Sequence, residues 1–568
     1  MLELLADYAR KNKLPGPGFK AKTVRWAIAC DTRGRFLDVI PLGDTNLKKN
    51  PGQAFPVCPD LTSSEMNAGG VAKSHFLVDA AEVVALYGDK ADDEKVKAKH
   101  DYFISRLHDA GKVMPELEKL ALLLECDVQM KKLRLRLESS RVKGGEKVTF
   151  QVGGAFPVES EKWHGWWQQY RASLASDAGR KMVCLVSGRV APAVLTQPAI
   201  DGLRDVGGSM GPVLVGFDKD AFGSYGLEQS ENAAVSEASA YEYRAALNEL
   251  IANHSQRLAG AKVVHWFKQK VKPEDDPLSW LERPPDDEER NAQYQARVLL
   301  ESIQRGNRPE LGGNHFYALA LSGAGGRVMV RDWMEGPFEE LAANIGQWFE
   351  DLSIVHREGG RLAPDPKFMA VVGATVRELD DLPPPFVAKM WRVAVRGEPI
   401  PQTALAQALV RFKVDIVDKD KTFNHARMAL MKAYYTRSSR KDGGYMKPYM
   451  NEEHPAPAYH CGRMMAVLAK LQQAALGDVG AGVVQRYYAA ASATPALVLG
   501  RLVRGGQFHL NKLDPGLAHW YEERLGSIAA RLGDSVPQTL TLEEQSLFAL
   551  GYYQQWVDLR TKKSDDSK

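Results

Sequence analysis

Apolar and polar positions change period several times along the chain, and each change marks an expected element. Residues 1–13 carry an amphipathic helical pattern that Pro15-Gly16-Pro17-Gly18 ends. The segment 24–42, VRWAIACDTRGRFLDVIPL, reads as two apolar strands around an Asp31-Thr32-Arg33-Gly34 turn. Residues 43–75 hold no sustained period and are expected to be irregular. Helical stripes run through 80–126, with Leu86, Tyr87, Phe103 and Leu107 among the apolar positions. Then Lys132-Leu133-Arg134-Leu135-Arg136-Leu137 alternates strictly, which predicts a strand with leucines on one face and three cations on the other. Lys143-Gly144-Gly145-Glu146 supplies a turn, and KVTFQV (147–152) is the expected return strand of a hairpin with a basic face.

Further on, Trp163, Trp166, Trp167 and Tyr170 have near-helical spacing, which suits the packed face of an amphipathic helix better than a base-stacking surface. Two short apolar runs, 182–186 and 212–217, enclose a polar, glycine-broken segment. A Gly-, Ser- and Asn-rich stretch follows, offering Tyr225, Gln229 and Asn232, before helix formers resume at Ser236-Glu237. VVHWF (263–267) is another strand. Residues 271–290, with four prolines and many acids, read as a linker. The segment 315–334 reads as a hairpin turning at Gly323 to Gly326, and nearly everything beyond Pro337 is helical. The expected fold class is α+β. A mixed N-terminal body (1–270) with several β-hairpins and helices leads through the linker (271–290) to a hairpin and helical connector (291–440). An all-α helical bundle (441–568) closes the chain.

Composition narrows the function classes. The 568 residues are 44% hydrophobic and 26% charged, ordinary for a globular protein of several domains. No apolar run approaches the length that spans a bilayer, and the first residues lack the features of a secretory signal, so a cytoplasmic location and no membrane partner are expected. Cys30, Cys58, Cys126, Cys184 and Cys461 lie far apart without ligand spacing; they read as buried thiols, with no metal and no cofactor expected. Net charge is +3, yet thirteen Lys and Arg stand against four Asp and Glu between Lys421 and Lys512. That excess points the C-terminal part toward a polyanion.

Catalytic signals are thin. Gly207-Gly208-Ser209-Met210-Gly211 fits the GxSxG of a nucleophile elbow, but that elbow needs a strand before the serine and a helix after it. The apolar run 212–217 follows as a strand instead, which leaves a free-standing serine hydrolase using Ser209 as the alternative reading. Met66-Asn67-Ala68-Gly69-Gly70-Val71-Ala72-Lys73 lets backbone approach a phosphate or groove edge, without the spacing of a P-loop. The expectation is a protein that is not an enzyme.

Long blocks carry a resemblance. CLVSGRVAP, GSMGPVLVGFDKDAFGSYGLEQSENAAVSE and AYEYRAALN resemble the large subunit of the type I-C CRISPR surveillance complex, Cascade. WAIACDTRGRFLDVIPL, FLVDAAEVVALYG, HFYALALSGAGGRVMVRDW, ARMALMKAYYTR, PAYHCGRMMAVLAKLQQAAL and VVQRYYAAASATPALVLGRLV extend it from residue 24 to about 513. The resemblance implies a non-catalytic subunit that recognises the short motif beside the target (the PAM) in double-stranded DNA and promotes R-loop formation. It also implies that the subunit holds the displaced strand and helps recruit the helicase-nuclease. Implied partners are guide RNA, target DNA, the guide-end cap and repeated backbone subunits, and small subunits. The C-terminal bundle resembles a small subunit, made separately from an internal start for which Met446, Met450, Met464 and Met465 are candidates.

On that resemblance, candidate PAM and duplex contacts are Asn67, Gly69, Gly70 and Lys73 in one loop, with Gly208, Ser209 and Lys219 in another. Lys132, Arg134, Arg136, Gln229 and Asn232 are candidates for other backbone contacts, Asn232 and Gln229 also as caps of the helix after Ser236. Arg427, Lys432, Arg437, Arg501, Arg504 and Lys512 are candidates for the displaced strand.

Overall fold

Prolines that interrupt the hydrophobic pattern start helices. In the computed structural model Pro115, Pro277, Pro384, Pro457, Pro495 and Pro515 each stand in the first turn of a helix, where the missing N–H has no intrahelical acceptor to lose. The structure describes the whole chain except residues 45–51, 63–64, 67, 175–179, 259, 286–290, 419–422, 439–445, 478, 480, 535 and 562–568. The chain is mixed α and β; among the described residues every sheet strand lies before Phe338, and helices dominate the rest. It divides into two compact units, residues 1–253 with 323–329, and residues 254–322 with 330–568.

The first unit is built on a four-stranded sheet. Trp26–Cys30 and Phe36–Pro41 form the expected hairpin, and Lys147–Val152 joins on the other side of Trp26–Cys30, followed by the short Asp79–Ala80. Helices Glu94–Gly111 and Pro115–Glu125 contribute Phe103, Leu107, Leu117 and Leu120 to one core with Ile28, Phe150, Trp163 and Trp167. The tryptophan-bearing helix is therefore core, with Phe76 stacked on Trp167 at 5.6 Å between centroids.

Two expectations fail here for identifiable reasons. Residues 132–137 lie in the helix Asp127–Ser139. Met130, Leu133 and Leu137 recur at helical spacing and are buried, whereas Leu135 is exposed. The window holds strong helix formers and only one β-branched residue, Val128, so a six-residue alternation loses to a thirteen-residue helical stripe. Lys147–Val152 accordingly pairs in parallel with Trp26–Cys30 and does not return along a basic strand. The supposedly irregular 43–75 also contains the strand Gln53–Pro59, antiparallel to Phe19–Val24.

In the second unit, Ala261–Phe267 pairs antiparallel with Ser255–Leu258 on one side and with Phe316–Leu321 on the other. The span His315–Pro337 is strand throughout, yet it folds back on itself: Phe338 N–H donates to Asn314 O at 2.9 Å, and Tyr317 stacks on Trp333 at 6.1 Å. This is the expected hairpin, and its glycine-rich tip, residues 323–329, belongs to the first unit. The acidic stretch 271–290 is not simply a linker, since Pro277–Glu282 is helical and buries Leu278, Trp280 and Leu281. The unit boundary falls earlier, at Asn253/His254. Beyond it, the helices from Phe338 to Asp558 share a single core. Among the described residues no helix is long and apolar enough to cross a membrane. Four cysteines are buried as expected, but Cys126 is exposed.

Candidate nucleic-acid interface

The loop after residue 217 is held by its own polar groups. Asn232 Oδ1 accepts from Ser224 N–H at 3.0 Å, while Asn232 Nδ2 donates to Leu227 O at 3.1 Å and Gln229 O at 3.0 Å. Asn232 therefore closes this loop and does not cap the helix Glu237–Asn253, and its amide is not offered outward. Gln229 is exposed, with Oε1 3.5 Å from Thr196 Oγ1 and a left-handed φ of 43°. Arg327 from the hairpin tip pairs with Asp218 at 2.6 Å and lies over Phe222 at 4.9 Å. At the apex stands Tyr225, 98% exposed, its backbone also left-handed. Lys219 beside it is exposed.

The glycine loops divide. Gly69 and Gly70 are exposed, left-handed (φ 71° and 67°), and face open space where a Cβ would stand. Asn67 lies outside the described residues. Lys73 is only 5% exposed, so it does not present its ammonium to a duplex as expected. Gly208 is buried in the strand Gly208–Val213, where a Cβ would press on Leu203 at 2.8 Å. It serves packing, whereas Ser209 on the same strand is exposed. No helix follows Ser209, so the strand–turn–helix geometry of a nucleophile elbow is not formed around it.

The proposed basic strand face also dissolves. In its helix, Arg134 Nε donates to Ala85 O at 2.9 Å, Arg136 pairs with Asp38, and Lys132 alone of the three is exposed without such a tie. The Arg136 pair holds the Asp38 carboxyl below its usual range, chiefly through that hydrogen bond.

The largest revision concerns the C-terminal cations. Arg427, Lys432 and Arg437 lie on the helix His425–Ser438, and all three are buried. Each meets the carbonyl end of another helix, where the last C=O groups have no intrahelical donor. Arg427 Nε donates to Ala374 O at 2.9 Å, just past Phe368–Gly373, and its other arm holds Asp415 at 2.7 Å. Lys432 Nζ donates to Asp351 O at 3.1 Å in the last turn of Phe338–Leu352. Arg437 donates to Val393 O in Pro384–Arg396, to Glu398 O, and to Asp351 Oδ2 at 2.7 Å. Burial pulls the Lys432 ammonium down to about 8 against the pull of Asp351 and Glu350. These three cations serve the fold and not a displaced strand.

Arg501, Arg504 and Lys512 are exposed. The first two sit on the helix Pro495–Leu510, PALVLGRLVRGGQFHL, which contains no acidic residue. Its buried side carries Val498, Leu499, Leu502 and Leu510. At about 100° per residue, Leu497, Arg501, Arg504 and Phe508 project along one line on the opposite side, and all four are exposed. Lys512 follows one turn beyond Phe508. Among the described residues none of these three cations forms an ion pair with an acid.

The model of one protein family, CRISPR-associated protein (Cas_Csd1), matches residues 3–560. The chain belongs to that family. As a member of the Cas_Csd1 family it is a CRISPR-associated protein of the Cascade type, which works in a multi-subunit complex. No curated protein matches the chain. Sequence reasoning did not single out Phe508, which stands four positions after Arg504 and four before Lys512, on the side of the helix opposite Val498, Leu499, Leu502 and Leu510.

Proposed function

We propose that this chain is the non-catalytic large subunit of a type I-C CRISPR RNA-guided complex, acting in the cytoplasm. It recognises the PAM in double-stranded DNA, promotes R-loop formation, holds the displaced strand and helps recruit the helicase-nuclease. Guide RNA, target DNA, the cap and backbone subunits and the small subunits are its partners. The observation that carries the reading is the acid-free exposed face of Pro495–Leu510, where Arg501 and Arg504 are offered to a polyanion. The exposed Gly69–Gly70 turn, Ser209 and Lys219 support a duplex contact in the first unit, since small residues and a single cation suit a groove. A start at Met446 or Met450 keeps the helix Pro457–Leu476 whole, whereas one at Met464 or Met465 cuts it; the earlier pair therefore suits a separate small subunit.

Binding of the assembled complex to a guide-matched duplex tests the reading at several salt concentrations. Each phosphate contact to a single strand contributes about 0.7 to the log–log salt slope. Arg501→Ala with Arg504→Ala is expected to flatten that slope by about 1.4. An unchanged slope removes these residues from the interface. Across a PAM library, discrimination is expected to vanish when this chain is left out of the complex, and its survival would defeat the reader assignment.

A further inference from the structure

The helix Pro495–Leu510 exposes apolar surface where it has no structural use. Leu497 is 75% and Phe508 70% exposed, the two most exposed large apolar side chains among the described residues of the second unit. Single exposed apolar residues are common and need no explanation. Here, however, both lie on the line that carries Arg501 and Arg504, with Gly500 between Leu497 and Arg501 facing open space. A cation, an aromatic ring and another cation follow one another at four-residue steps: Arg504 and Phe508 on the helix, about 6 Å apart along its axis, and Lys512 in the turn just past its end at Leu510. Guanidinium groups bind phosphate oxygens, and an exposed ring presents the flat face on which an unpaired base stacks.

We infer that Phe508 is a base-stacking residue for single-stranded DNA, held between the phosphate contacts of Arg501 and Arg504 on one side and Lys512 on the other. The inference rests on the proposed function and adds an occupant to that face: an unpaired strand and not a duplex, whose bases are already stacked on each other. A protein surface of mixed charge fits less well, because a helix face with cations and no acid leaves that surface's own cations unpaired. The phenyl ring is sequence-tolerant, so the contact holds a strand without reading it.

Fluorescently labelled oligonucleotides and the full-length chain provide the test. Four probes are used: single-stranded DNA of mixed sequence, the same strand with abasic sites, the matching duplex, and RNA of the same sequence. Phe508→Ala is expected to weaken binding of the mixed strand roughly tenfold and to leave the abasic strand, the duplex and the salt slope unchanged. Phe508→Trp is expected to restore binding, with indole fluorescence quenched by the strand. At 70% exposure the ring contributes little to the core, and circular dichroism of both variants checks that they fold. Unchanged affinity of Phe508→Ala, with a flattened slope for Arg501→Ala and Arg504→Ala, overturns stacking and leaves the phosphate-binding face intact. No effect from any of these substitutions overturns the face itself. A loss confined to RNA overturns the DNA assignment. A variant that binds DNA normally but drops out of the assembled complex marks the face as a protein contact and also overturns the inference.

Discussion

Asp351→Ala is expected to cost the second unit about 3–5 kcal/mol, the penalty for removing one partner of a buried ion pair. Asp351 is fully buried at the end of Phe338–Leu352, and its carboxylate accepts from Arg437 Nε at 2.7 Å and from Gln347 Nε2 at 3.1 Å. The Arg437 side chain is 2% exposed and lies 5.3 Å from the centre of the Trp348 ring. Without the carboxylate, the guanidinium keeps its bonds to Val393 O and Glu398 O, neutral carbonyls that do not replace the charge of Asp351. Trp348 makes the unfolding readable by tryptophan fluorescence in denaturant. Replacing both partners by apolar residues, Asp351→Leu with Arg437→Met, is expected to recover most of the loss, because the cost lies in breaking the pair and not in lacking it. A loss below about 1 kcal/mol for the single change, the range of an exposed pair, would show that the pair is open to water.

The same burial explains why three of the six C-terminal candidate cations, Arg427, Lys432 and Arg437, are not on the surface as expected from sequence. Charge counting treats every Lys and Arg as surface, and the string ARMALMKAYYTR gives no amphipathic face that would say otherwise. Its helix is buried almost all round, with Met428, Leu430, Met431 and Ala433 packed beside Arg427 and Lys432. The acceptors that make this tolerable are main-chain carbonyls of helices Phe368–Gly373, Phe338–Leu352 and Pro384–Arg396, far away in sequence and invisible to composition. By contrast, Arg501 and Arg504 sit in a helix whose Val498, Leu499, Leu502 and Leu510 declare the opposite face, and there the shared face expected from their spacing forms and is exposed. The same rule separates the elements. The Trp26–Cys30 and Phe36–Pro41 hairpin has a local turn and was legible. The parallel neighbour of Trp26–Cys30, Lys147–Val152, is selected by packing across more than a hundred residues and was not. In the loop after residue 217, composition pointed to an exposed polar surface. It did not reveal that Asn232 spends its amide closing that loop and leaves Tyr225 outermost.

The helices Pro457–Leu476 and Leu542–Asp558 lie so close that glycine is required where they touch. A Cβ at Gly462 would run into the carbonyl oxygen of Phe548, and one at Gly551 into that of Tyr459, which are backbone atoms and not movable side-chain ends. Gly462→Ala is therefore expected to destabilise the second unit by about 2–3 kcal/mol, because the helix pair must separate and loosen the packing of Phe548 and Tyr553. The intrinsic helix preference of alanine over glycine, about 1 kcal/mol, acts in the opposite direction and is overcome. Gly526→Ala supplies the control. That glycine lies inside Pro515–Leu532, is exposed and has nothing within 4 Å of a Cβ, so the same substitution is expected to stabilise by up to about 1 kcal/mol. Denaturation midpoints of the two variants against the parent chain separate the effects by sign. Equal shifts for both would mean that the two helices pack through their side chains, with backbone contact playing no part.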